Sequence, residues 1–297
     1  MNFSCNLCRF KKFNFISNKV RDSNSFKIYQ CASCSHIQIF PIPKYDQTRI
    51  FYDKDMMSKN IKFHSIKNMI EKKQKDTLQH ISFTRKIAKK KSKILEIGSG
   101  YGLFLNEMTK LGYDITGIEI SKTRRDFAEK YANTKVLNVD ITQNSRLNSD
   151  YDLIVMFQVL QYISNPIKLL QKINRLLKKN GKLMFLVPNA DDLFLKIDSN
   201  YKNWFWQMAH VNYFTPKILK KILKSENFTN IEILGVQRYS IENLFNWRLN
   251  GKPQLIKPSF DLPLEYNFLE KYYKNYLQKN LISDTLLVTA QKTSSSK

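Results

Sequence analysis

From residue 93 onward, short apolar runs alternate with segments whose apolar residues recur at helical spacing. That alternation predicts βαβ units around a parallel sheet. Lys93–Ile97, Tyr113–Ile120, Lys135–Val139, Tyr151–Phe157 and Lys182–Val187 read as strands, the fourth apolar enough to be buried on both faces. Helices are expected over Leu103–Leu111, over Arg124–Tyr131, and from Pro166 to about Lys179, where Asn180-Gly181 would close the last of these. A helix over Pro216–Glu226 and strands over Asn230–Val236 and Asp284–Ala290 complete the unit. Residues 241–280 form an aromatic-rich insertion between the last two strands, and 293–297 a disordered tail. Upstream, Phe26–Tyr29 is a short β-like run, and Pro41 and Pro43 punctuate an exit. Tyr45–Lys91 then reads as mostly helical, with Ile66, Met69, Ile70, Leu78, Ile81, Phe83 and Ile87 at mixed helical spacing. The domains expected are 1–43, a linker or cap over 44–92, and an α/β domain over 93–292.

Composition adds limits. The 297 residues are 42% hydrophobic and 13% aromatic, enough for packed cores and against global disorder. No apolar run approaches the ~20 residues needed to span a bilayer. Met-Asn-Phe-Ser-Cys at the start lacks the apolar stretch of a secretory signal, so a cytoplasmic protein without a membrane partner is expected. The net charge is +24, densest over 44–93. That density admits a nucleic-acid partner. Lysine predominates, however, whereas phosphate and base recognition favours arginine forks, and a solvated lysine surface explains the charge more simply.

All four cysteines lie in the first 34 residues, as Cys5-x2-Cys8 and Cys31-x2-Cys34. Two such knuckles present four thiolates to one tetrahedral ion, which suits Zn2+ in a zinc ribbon. A closed four-thiolate site has no open coordination position, so its role is structural. His36 follows the second knuckle and is read as structural rather than as a ligand.

The segment Glu96-Ile-Gly98-Ser-Gly100-Tyr-Gly102 follows a strand and opens a helix. Glycines there let the backbone turn tightly and approach a ligand. The third glycine comes one residue too early for the G-x-G-x-x-G dinucleotide turn. An acid precedes the first glycine, which suits a cationic ligand better than a pyrophosphate. This segment resembles the first motif of class I S-adenosylmethionine (SAM) methyltransferases. The resemblance implies a Rossmann-like sheet, mostly parallel with the last strand antiparallel, and SAM as cofactor. It also implies that Glu119 meets the ribose hydroxyls, that Ile120 packs on the adenine, that Asp140 and Ile141 flank the adenine, and that the backbone around Phe157 lines the methionine end.

The ribbon, the proline-rich exit, the linker and Ala209-His-Val-Asn-Tyr-Phe-Thr-Pro216 together resemble bacterial sugar methyltransferases of surface-polysaccharide pathways. Those enzymes often carry V-L-E-H after the fourth strand, where this chain has Val159-Leu-Gln-Tyr162. The resemblance implies a small hydroxylated substrate, a nucleotide-activated or phosphorylated sugar, with O-methylation favoured over N- or C-methylation. An RNA methyltransferase gripping its substrate with the linker and ribbon is the alternative. His210 follows the fifth strand, where substrate loops gather, and is the candidate base. A structural histidine among Trp204, Phe205, Trp206 and Tyr213 is the competing reading. Tyr162, Asn189 and Tyr213 are candidate substrate contacts; Asp191 and Asp192 either join them or cap the next helix. The aromatics of 241–280 fit a lid, a homodimer interface or plain packing.

Overall fold

The computed structural model describes residues 3–43, 66–143, 147, 149–253 and 263–293. The helical reading of 45–65, part of the 241–280 insertion and nearly all of the tail lie outside the described residues.

Seven strands form the main sheet: β4 (Lys93–Ile97), β5 (Asp114–Ile118), β6 (Val136–Leu137), β7 (Tyr151–Phe157), β8 (Leu177–Pro188), β10 (Phe228–Val236) and β11 (Thr285–Lys292). Their order is β10-β11-β8-β7-β4-β5-β6. Strands β4–β8 pair in parallel, and β11 runs antiparallel between β8 and β10. The alternation predicted the parallel part of this sheet, and the resemblance implied its Rossmann-like order with the last strand antiparallel.

Alternate residues of the central strands face opposite layers. Leu95, Ile97, Ile154 and Met156 pack with Leu169, Leu170 and Ile173 of α4 (Pro166–Leu176) and with Ile218, Leu219 and Ile222 of α7 (Pro216–Ser225). Ile94, Leu153 and Val155 pack on the other side, with Phe104, Leu105 and Met108 of α2 (Leu103–Lys110) and Ala128 and Ala132 of α3 (Lys122–Ala132). Ile81 of α1 (Ile66–Arg85) joins that second layer. Both helices begun by proline are capped, α4 by Asn165 accepting from the Lys168 N–H at 3.1 Å and α7 by Thr215 accepting from the Ile218 N–H at 3.3 Å.

The helix expected to reach Lys179 stops at Leu176. Tyr151 pairs with Leu177 and Leu153 with Lys182, so residues between bulge out of the ladder. Asn180 turns the bulge with φ +62°, and a Cβ on Gly181 would lie 3.0 Å from the carbonyl oxygens of Lys178 and Tyr151. Asn-Gly there serves a strand bulge, not a helix end.

At the N-terminus, β1 (Phe13–Ser17), β2 (Lys27–Cys31) and β3 (Ile37–Phe40) form an antiparallel ribbon. This sheet gains a fourth strand from far along the chain: β9 (Asn212–Tyr213) pairs with β3 through Ile37–Tyr213 and Gln38–Asn212. A third core joins Val20, Phe26, Ile28 and Ile39 to Phe205, Trp206, Val211 and Tyr213. It also holds Phe194 of α5 (Phe194–Ile197), Tyr201 of α6 (Ser199–Phe205) and Trp247 of α8 (Ile241–Asn250). The insertion's second described helix is α9 (Asn267–Lys279). Phe268, Tyr272 and Tyr276 of α9 are exposed, whereas Trp247 is buried.

Candidate functional site

The turn after β4 is left-handed at three glycines, with φ +76° at Gly98, +56° at Gly100 and +75° at Gly102. The N–H groups of Gly98 and Ser99 both donate to the Ile118 carbonyl, at 2.8 and 3.0 Å, tying the turn to the end of β5. A Cβ on Gly98 would stand 2.6 Å from Val159 Cγ2, and one on Gly102 would stand 2.8 Å from Ala128 Cβ. A Cβ on Gly100 would meet nothing within 4 Å. Gly98 and Gly102 are therefore required by packing; Gly100 borders open space.

Two acids converge on this turn. Glu119 accepts from the Gly100 N–H at 2.8 Å and the Ser121 N–H at 2.9 Å. Glu96 is buried at the base of the turn, and its Oε2 has no hydrogen-bond partner. Burial, and then the charge of Glu119, push the Glu96 carboxyl well above the usual carboxylate range. Such an orphaned buried carboxylate oxygen fits a cationic ligand such as the ammonium of SAM. Asp140 accepts from the Thr142 N–H and hydroxyl at 2.9 and 2.6 Å. Ile141 is buried, while Ile120 is 36% exposed and offers an apolar face beside Glu119. Phe157 at the end of β7 stacks on His80 of α1, with centroids 3.9 Å apart and planes at 4°. Burial holds the His80 imidazole down at about 4, so the ring is neutral and packs as an aromatic. His80 lies 77 positions before Phe157 in the chain, and nothing local in the sequence links the two.

Past β7 the chain turns at Gln158, which is left-handed at φ +60°. Gln161 donates to the Gln158 side chain at 3.0 Å and accepts from the Val211 N–H at 2.9 Å through its backbone carbonyl. This brings Tyr162 to His210, with ring centroids 5.2 Å apart. His210 is 5% exposed, and its Nδ1 has no partner. Burial, and then the Arg21 charge, push its imidazole down to about 3. On a neighbouring wall Arg238 pairs with Asp76 of α1 at 2.6 Å, and Asp284 accepts from the Arg238 and Tyr239 N–H groups at 2.9 and 3.1 Å. Asp192 accepts from Tyr201 Oη at 2.6 Å and from the Phe194 N–H at 2.9 Å. Burial, and then Asp284, raise Asp192 to about 7.

Residues 69–233 match the methyltransferase-domain family. The chain belongs to that family. It is a SAM-dependent methyltransferase. The enzyme is similar to the ubiquinone biosynthesis O-methyltransferase of Coxiella burnetii, at 24% identity over 173 residues covering 54% of this chain and 74% of that protein. It is 30% identical over 118 residues to the protein of the same name in Nitrosococcus oceani, covering 37% of this chain and 50% of that one. In fold, the methyltransferase resembles the magnesium protoporphyrin IX methyltransferase of Synechocystis, solved with S-adenosylhomocysteine (SAH). The TM-score is 0.56 at 13% identity, covering 84% of this chain and all of that one. A SAM-dependent methyltransferase from Archaeoglobus fulgidus aligns with TM-score 0.53 at 18% identity, covering 75% and 98%.

The ribbon of this methyltransferase lies outside the family match. Its two knuckles have the same geometry. Arg9 N–H donates to Cys5 O and Ser35 N–H to Cys31 O, both at 3.0 Å, and Arg9 and Ser35 are left-handed at φ +64° and +63°. The four Sγ atoms lie within 4.8 Å of one another, with Cys5–Cys34 at 3.6 Å and Cys8–Cys31 at 3.5 Å. A tetrahedron with Zn–S bonds of about 2.3 Å has edges of about 3.8 Å, so the cluster fits Zn2+. His36 Nδ1 lies 3.7 Å from Cys5 Sγ, supporting the cluster from behind.

The structure brings Glu96, Gly98, Gly100, Gly102, Glu119, Ile120, Asp140, Ile141 and Phe157 to the ends of β4–β7. Tyr162 and His210 stand together. Two candidate substrate contacts spend their polar groups on loop backbone. Asn189 is fully buried, its amide donating to the Leu281 and Ser283 carbonyls at 2.9 and 2.8 Å. Tyr213 is also buried, its hydroxyl bonded to the Gln207 backbone. Both hold loops in place. Asp192 accepts from the Phe194 N–H two residues on, just ahead of α5, rather than capping that helix. Among the described residues no helix is long and apolar enough to cross a membrane.

Proposed function

We propose that this methyltransferase transfers the SAM methyl group to a hydroxyl of a small metabolite, a nucleotide-activated or phosphorylated sugar, with His210 as the proton acceptor. The observation that carries this reading is the buried imidazole of His210, unpartnered at Nδ1 and set against Tyr162. The names of the curated O-methyltransferases it resembles support oxygen as the acceptor atom.

SAM supplies a methyl group on a sulfonium, a good neutral leaving group, so the chain's part is alignment, exclusion of water and proton removal. Alignment of this kind is worth on the order of 7–11 kcal/mol. Gly100 gives the cofactor room, Glu96 meets its ammonium, Glu119 its ribose, and Asp140 with Ile120 and Ile141 its adenine. His210 is held neutral, so a ring lone pair is free to take the hydroxyl proton. The same burial makes the imidazolium costly, so proton removal accompanies O–C bond formation rather than preceding it.

The test is label transfer from methyl-labelled SAM into a size-fractionated bacterial extract. Label is expected in small, ribonuclease-resistant molecules, and is lost with His210→Ala while SAH binding persists. One feature favours RNA as a second reading: a cavity of about 380 Å3 beside Ile141 and Thr142 is lined by Arg9, Lys168, Lys172 and Arg175. Label in ribonuclease-sensitive material would select it and refute the small-molecule reading.

A further inference from the structure

The ribbon does more than border the methyltransferase sheet. Its β1–β2 connection lies along residues 204–208, just before His210. Arg21 N–H donates to Trp206 O at 2.7 Å, and Met208 N–H donates to Arg21 O at 3.3 Å, so Arg21 is zipped to the loop by its backbone. Its guanidinium lies 4.3 Å over the Trp204 ring, donates to Gln207 Oε1 at 2.7 Å, and keeps Nε 3.4 Å from the Asp22 carboxylate. The side chain remains 27% exposed. A cavity of about 420 Å3 opens against it, lined by Asn18, Lys19, Asn24, Asn203 and Trp204 as well as Arg21.

This guanidinium faces two ways. Outward it meets a wall of amides, a lysine and an indole. Inward its field reaches His210, Tyr162, Tyr213 and Tyr239. From the other wall Arg238 acts on the same Tyr162 and Tyr239. Arg238 is matched by Asp76 at 2.6 Å, whereas among the described residues the acid paired with Arg21 is Asp22, itself one-third exposed, at 3.4 Å. A planar guanidinium fixed by stacking and by one amide is preorganised for an oxyanion, because little side-chain freedom is left to lose on binding.

We propose that Arg21 is the anion-binding residue of the acceptor site: an oxyanion group of the acceptor, phosphoryl or carboxylate, docks in the cavity against Arg21 and Lys19. Asn18, Asn24 and Asn203 supply amide hydrogen bonds around it. The metal ribbon is then a wall of the substrate site as well as a scaffold. The inference deepens the small-metabolite reading, on which it rests.

The experiment is a titration of the full-length, zinc-loaded protein with inorganic pyrophosphate and, separately, malonate, followed by tryptophan fluorescence, since Trp204 and Trp206 flank Arg21. SAH binding by calorimetry is the control. At least one anion saturates the wild type, and the more tightly bound one identifies the source of the charge. Arg21→Gln raises that Kd at least tenfold, Arg21→Lys less, and SAH affinity stays within twofold. Asn203→Asp, which leaves the bonds of Arg21 intact but sets a negative charge in the cavity, also weakens the anion at least tenfold. Lys172→Gln with Arg175→Gln, in the other basic cavity, leaves it unchanged. The proposal falls if neither anion saturates the wild type, if Arg21→Gln and Asn203→Asp bind as the wild type does, or if the loss follows the Lys172/Arg175 pair. Label transfer to hydroxyls is read in a separate assay, so either reading can fail without the other.

Discussion

Gly100 and Gly102 sit two residues apart in one turn, both left-handed, and the structure gives them different burdens. In Gly102→Ala, the left-handed backbone costs roughly 1–2 kcal/mol. The new Cβ lies 2.8 Å from Ala128 Cβ and 3.0 Å from Ala128 Cα, a backbone atom of α3 that cannot swing away. Overpacking of that kind adds about 1–3 kcal/mol, for a total of roughly 2–5 kcal/mol. At about 2–4 °C per kcal/mol for a domain of this size, Tm should fall by roughly 4–20 °C. In Gly100→Ala, the backbone term stands alone, about 1–2 kcal/mol, because nothing lies within 4 Å of the new methyl group. That methyl group occupies the space assigned to the cofactor. A tenfold loss of SAH affinity corresponds to about 1.4 kcal/mol, and at least that loss is expected. Thermal unfolding without ligand and SAH titration of both variants separate the two effects. Equal stability losses together with wild-type SAH affinity in Gly100→Ala would refute the placement of the cofactor against this turn.

Glu96 should release its proton when SAM arrives, because an ammonium favours the ionised form of a carboxyl that burial has raised. Affinity should therefore rise with pH up to the raised value, and calorimetry near pH 6 in buffers of different ionisation enthalpy should show proton release that Glu96→Gln abolishes; no release would sink the assignment. Asp192 is raised from 3.8 to about 7, so the folded state holds a proton that the unfolded chain gives up. Its contribution is fully present below about pH 4 and is lost as pH climbs through 7, by at most about 4 kcal/mol. Denaturant unfolding at pH 4.5 and pH 8 should show Asp192→Asn gaining on the wild type at the higher pH, and a pH-independent difference would count against the burial argument. Metal removal by chelation, or Cys31→Ser, should abolish methyl transfer while SAH affinity changes only a few-fold; an active metal-free enzyme would show that the ribbon does not hold the His210 loop.

The sheet was legible in the sequence because its signals are local. Tyr151–Phe157 is apolar throughout, and β7 has those bounds. The knuckles and the glycine turn were legible for the same reason, since spacing alone defines them. What could not be read were contacts between segments far apart in the chain. Asn6 bonds Asn212 at 3.2 Å across 206 positions, and no periodicity encodes that. The backbone bond from Arg21 to Trp206 and the stacking of His80 on Phe157 likewise join segments far apart in the chain. Asn189 and Tyr213 serve loop backbone, as a polar or aromatic residue near a strand end does as readily as it serves a ligand, and it is their filled hydrogen bonds, not burial, that set them apart from His210.

The energetic order of these contacts explains why a structural metal belongs in a methyltransferase of this design. The loop bearing His210 contributes only the two-residue strand β9 to any sheet, too little pairing to fix itself. Backbone bonds from Arg21 and Ile39, with Asn6 to Asn212 and Arg21 to Gln207, tie it to the ribbon. Each such bond is worth about 0.5–1.5 kcal/mol net, less than the entropy of ordering the residues it joins unless the partner surface is already rigid. Four thiolates on Zn2+ provide that rigidity, with apparent binding energies of about 10–16 kcal/mol in small zinc domains. With His210 as the proposed base, a metal on these thiolates would stand away from the chemistry and still set the precision of the site. It folds the ribbon, the ribbon fixes residues 206–213, and those residues hold His210 against Tyr162. Loss of the metal should accordingly lower kcat before it lowers cofactor affinity, because Glu96, Glu119 and the glycine turn are held by the main sheet alone.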